Sequence, residues 1–185
     1  MPLVPSLDGG PPLSAPLRFF VTAAMFGTSA GLLLAWAGAD LLQSRWTPAA
    51  LAFTHFITVG FMMQVLLGAL QQLLPVLAGA PLRHPLRVAT VVHTGTTLGG
   101  VCLVGAFLSG YPILFGIATA CMAVGVLFFV ATAVPALRRV HPPNVVARAL
   151  QFGLLGLTVT VSIGLANALT LGWPTGLPLE QLANV

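Results

Sequence analysis

Charge is what this sequence has least of. Only 5% of its 185 residues are Asp, Glu, Lys or Arg, and lysine is absent altogether. A water-soluble domain carries about 25% charged residues, so a surface this poor in charge excludes an ordinary soluble protein. Carboxylates are limited to Asp8, Asp40 and Glu180. None sits in the middle of an apolar run, which argues against a proton or cation carrier built on intramembrane acids. The two cysteines, Cys102 and Cys121, lie inside apolar runs without metal-type spacing and read as packing residues. There is no phosphate-cradling glycine loop, and no nucleophile is paired with a base in a recognisable pattern. Whether the chain is an enzyme stays open at this level.

Apolar sequence is what remains. Hydrophobic residues make up 57% of the chain. They fall into five runs, from about Phe19 to Leu42, Pro48 to Leu77, Val88 to Leu108, Pro112 to Ala136 and Val146 to Leu171. Each is long enough to cross a bilayer. Because hydrocarbon offers no partner to a backbone N–H or C=O, each is expected to be helical. The fold expected is therefore an all-α integral membrane bundle of about five transmembrane helices, with the lipid bilayer as its main partner. Thr47-Pro48 supplies an N-cap and a first-turn proline. Residues 79–85, Gly110-Tyr111-Pro112 and His141-Pro142-Pro143-Asn144 are the breaks between runs. Residues 1–17 are rich in Pro and Gly and lack a basic leader before an apolar core. They are expected to form an arm rather than a signal peptide. Residues 18–173 form the helical domain, and 174–185 a polar tail.

The net charge of +4 comes from seven arginines, and their placement is topological. Arg18, Arg83, Arg87, Arg138, Arg139 and Arg148 fall on the N-terminal side of the expected bilayer, and Arg45 alone on the other. This puts the N-terminus in the cytoplasm and Trp46, Tyr111 and Trp173 at the outer interface. In a bacterium the membrane would be the inner one. No basic face with interleaved aromatics exists, so nucleic acid is not an expected partner. Gly95, Gly99, Gly100 and Gly105 share the third run, where small residues allow close helix packing or room for a flat cofactor.

Histidine is the remaining chemistry. His84 and His141 lie in loops among arginines and read as exposed. His55 and His93 each stand about eight residues into an apolar helix, where an imidazole needs a hydrogen-bond partner or a metal. Neutral imidazole is the common axial ligand of haem, so both are candidate cofactor-binding and metal-ligating residues. Helix direction separates them by roughly 20 Å along the membrane normal at 1.5 Å per residue. They cannot ligate one iron from opposite sides within one protomer. Met25, Met62, Met63 and Met122 are candidate thioether ligands for haem iron or copper(I), though methionine is more often plain core. Gln64, Gln71, Gln72, Gln151 and Asn167 could support polar contacts.

Around His55 the pattern is specific. Leu51-Ala52-Phe53-Thr54-His55-Phe56-Ile57-Thr58-Val59-Gly60-Phe61 runs on to Gly68-Ala69-Leu70 and closes with Leu73-Leu74-Pro75-Val76-Leu77. This resembles the second helix of haem–copper oxidase subunit I and of the related nitric-oxide-response membrane proteins. The segment starting Pro16-Leu17-Arg18-Phe19-Phe20 is similar to their first helix. The resemblance covers about the first 80 residues. It implies haem b on His55, in the outer half of the membrane, serving electron transfer or the binding of a gas or of haem itself. The copper-ligand helix and adjacent histidine pair of subunit I have no counterpart here, so a complete oxidase is not implied. Subunit I is built from three four-helix arcs, and a homo-oligomer of this chain, a trimer in the simplest case, would rebuild that arrangement. Two other readings remain: a copper-handling protein, and a cofactor-free structural or assembly subunit.

Overall fold

The computed structural model describes residues 10–140 and 145–172. His141, Trp173, the C-terminal tail and residues 1–9 of the expected arm lie outside them. Among the described residues the chain is helical throughout, and five helices are long and apolar enough to cross a membrane. They are α1 (Ser14–Ala37), extended by a 3₁₀ turn over Gly38–Leu42; α2 (Pro48–Val76); α3 (Pro85–Ser109); α4 (Pro112–Arg138); and α5 (Val145–Gly172). All but the first begin and end within about three residues of the apolar runs.

The ends follow from local chemistry. Thr47 caps α2, its hydroxyl accepting from the Ala50 N–H at 3.2 Å ahead of the first-turn Pro48. Gly110 stops α3 in the left-handed conformation, at φ 72°, and Tyr111-Pro112 starts α4 at once. His84 takes φ 53° ahead of Pro85, an uncommon conformation for a side chain with a Cβ. α1 starts at Ser14, so its first turn takes in the last residues of the stretch 1–17. Arg18 explains the extra turn: its Nε donates to the Ser14 carbonyl at 3.1 Å and its Nη1 to Thr90 Oγ1 at 2.9 Å.

One irregularity was not expected. α2 is α-helical over Pro48–His55 and Met63–Val76, but π-helical over Phe56–Met62. Gly60 sits in that segment, directly under the Phe26 ring of α1, so a Cβ there would collide with the ring.

Packing is tightest between α3 and α4. A Cβ on Gly95 would lie 2.8 Å from the Cys121 carbonyl oxygen and 2.9 Å from Gly125 Cα. Gly99 faces Met122 and the Ala118 carbonyl, and Gly100 faces Phe26. These three glycines therefore serve helix contact, the usual device where packing rather than water exclusion holds helices together. Gly105 is less crowded, with Leu114 at 3.6 Å. α1 packs on α2, while α5 packs chiefly on α4. Two apolar cores result. The larger, at the end where α1 begins, is built around Phe19, Leu67, Leu74, Val92 and Phe129. The smaller, at the opposite end, holds Leu33, Ala52, Phe107 and Phe115.

Candidate functional site: a cleft beside His55

The smaller core borders a partly open cleft of ≈ 830 Å³. α2 supplies His55, Thr58, Val59, Met62, Met63 and Leu66 to one wall. α3 adds Leu103 and Phe107, and α4 adds Ala118, Thr119 and Met122. The facing wall is α5, from Leu157 to Leu171, including Thr160, Gly164 and Asn167. Trp46, just before α2, closes one end. The lining is mostly apolar with a few hydroxyl and amide groups, and the volume falls within the range of small-molecule and cofactor pockets.

His55 is held in a defined orientation. Its Nδ1 lies 2.7 Å from the Leu51 carbonyl oxygen, one turn back on the same helix. A carbonyl only accepts, so Nδ1 is the protonated nitrogen and Nε2 keeps its lone pair. The ring stacks on Phe107 at 4.8 Å between centroids and 30° between planes, and Phe115 packs edge-on against Phe107 at 5.1 Å. Among the described residues Nε2 has no hydrogen-bond partner. A histidine whose second nitrogen is tied to a backbone carbonyl, and whose ring is fixed by packing, is prepared as a metal ligand.

His93 stands in different surroundings. It does not line the cleft. Its Nε2 is 2.8 Å from Thr22 Oγ1, and its ring meets Phe19 edge-on at 5.1 Å. Phe107, the ring under His55, lies fourteen residues further along the helix that carries His93, a separation of about 20 Å. The structure thus brings His55 together with Met62, Met63, Met122 and Asn167 and leaves His93 apart, with Arg18 and Thr90 for company. Met25 is largely exposed and Gln64 points elsewhere, onto Thr96 and Thr97. His84 is exposed, as expected.

Sequence reasoning missed Phe107 and most of the α5 wall. The spacing Thr160, Gly164, Asn167 repeats every three to four residues on an otherwise lipophilic helix, and that small and polar stripe was the available signal. Among the described residues no three His, Cys, Asp or Glu side chains converge as a metal cluster. Comparison of the chain with protein-family models, curated proteins and solved structures finds no match.

Proposed function

We propose that this chain is a multi-pass protein of the bacterial inner membrane that binds b-type haem through His55. The observation that carries the reading is the His55 ring itself: Nδ1 bonded to Leu51, Nε2 free, set in the wall of an apolar cleft. The residues fit the group. A porphyrin needs an apolar slot and an axial nitrogen, and the apolar cleft with the His55 Nε2 in its wall supports that reading. When bound, haem would supply one-electron chemistry or a site for a diatomic gas, which makes this an electron-transfer or gas-binding protein rather than a complete oxidase. The resemblance of α1 and α2 to the first helices of haem–copper subunit I supports the same assignment. His93, engaged by Thr22, takes a structural role here. The arginine distribution supports a cytoplasmic N-terminus, with His55 in the outer half of the membrane.

The test is an absorption spectrum of detergent-purified protein from haem-replete cells, oxidised and reduced. A Soret band is expected that His55→Ala removes and His93→Ala retains. Colourless wild-type protein would sink the proposal. A second reading has its own support: Met62, Met63 and Met122 line the same cleft, and thioethers with an imidazole suit copper(I). Copper without iron in elemental analysis would favour it.

A further inference from the structure

The larger core contains a group that its packing leaves unanswered. Gln71 of α2 is 0% exposed, yet neither its Nε2 nor its Oε1 has a hydrogen-bond partner among the described residues. The nearby buried residues of the same helix, Leu67, Leu70 and Leu74, are all apolar. Seven residues earlier, on the same face of the helix, stands a second buried amide. Gln64 is also 0% exposed, and its Nε2 donates to Thr96 Oγ1 at 3.2 Å and Thr97 Oγ1 at 3.1 Å. Its Oε1 is unpartnered. An amide enclosed without partners is strongly unfavourable, and a leucine in its place would pack without that cost. The position therefore calls for something that both donates to Oε1 and accepts from Nε2.

We propose that Gln71 is an internal hydration site, holding water within the helical core, and that the Gln64 carbonyl is a second station of the same kind. Buried water characteristically sits where polar groups lack protein partners. A water molecule can both donate to Oε1 and accept from Nε2. A partner chain cannot reach a side chain with no exposed surface. A shared cation is excluded by distance, because two turns of helix separate the carbonyls by about 10 Å, whereas a cation gathers its oxygens at about 2.0–2.6 Å. The assignment is independent of whether His55 carries haem.

Water-edited solid-state NMR of the full chain in deuterated lipid bilayers tests it, with ¹⁵N in the glutamine side chains. The two amides are assigned by loss of their signals in Gln64→Leu and Gln71→Leu, or in Gln71→Glu if the leucine variant does not fold. Magnetisation from water is expected to reach Gln71 Nε2 nearly as fast as it reaches exposed Gln43. Transfer about tenfold slower than at Gln43, as for a dry core amide, overturns the proposal.

Discussion

At the scale of single residues, two histidines that look alike in the sequence differ by what holds each ring. His55 is fixed by its own helix and by Phe107, which leaves one nitrogen available. His93 bonds to Thr22 across the α1–α3 contact. A hydrogen bond of that kind contributes about 1 kcal/mol. Thr22→Val is therefore expected to lower the thermal midpoint by a few degrees and, if His55 alone binds haem as proposed, to leave the Soret band unchanged. A lost Soret band with intact folding would instead tie His93 to the cofactor. The sequence marks His55 as a candidate because an imidazole is rare in an apolar run. It does not mark Phe107, since a contact between residues 55 and 107 leaves no trace in local periodicity. The unpartnered state of Gln71 is hidden for the same reason: the glutamine is visible, but its neighbours are not.

At the scale of elements, the helices are legible and the irregularity inside one of them is not. Pro48, Pro85 and Pro112 each open a helix, and Gly110 closes one, so chain chemistry fixes those ends. The π segment over Phe56–Met62 leaves no such mark. It goes with a tertiary contact, Phe26 lying on Gly60, which no run of apolar residues announces. A π-bulge adds a residue to the turn. Deleting Thr58 is expected to restore regular α-helix and to leave His55 facing nearly the same way relative to Met63–Val76, because the wider π turns already absorb the extra residue. Far-UV circular dichroism should be unchanged, and the Soret band expected if His55 binds haem as proposed should be retained. Loss of that band with intact folding would show that the π segment itself sets the direction of His55.

At the scale of the whole molecule, the five helices are unequally secured. α3 and α4 interlock through Gly95, Gly99 and Gly125, whereas α5 rests chiefly on α4 and is the least buried of the five spans. Regions with few buried contacts open first. Hydrogen exchange in detergent is therefore expected to be faster in α5 than in α3 or α4. Because α5 forms one wall of the cleft, the haem proposed to occupy it should slow exchange over residues 157–171 if it binds there. Equal protection of α3, α4 and α5 in the ligand-free protein would contradict this ordering.

The cleft's incomplete enclosure bears on the order of assembly. Its walls belong to four helices, and one of them, α5, is the last helix of the described chain. A pocket sealed on all sides would have to capture its occupant while the chain was still folding. This one is unsealed, and its weakest wall is the last to be made. Helix packing can thus be complete before any occupant arrives, and a guest can enter a finished frame.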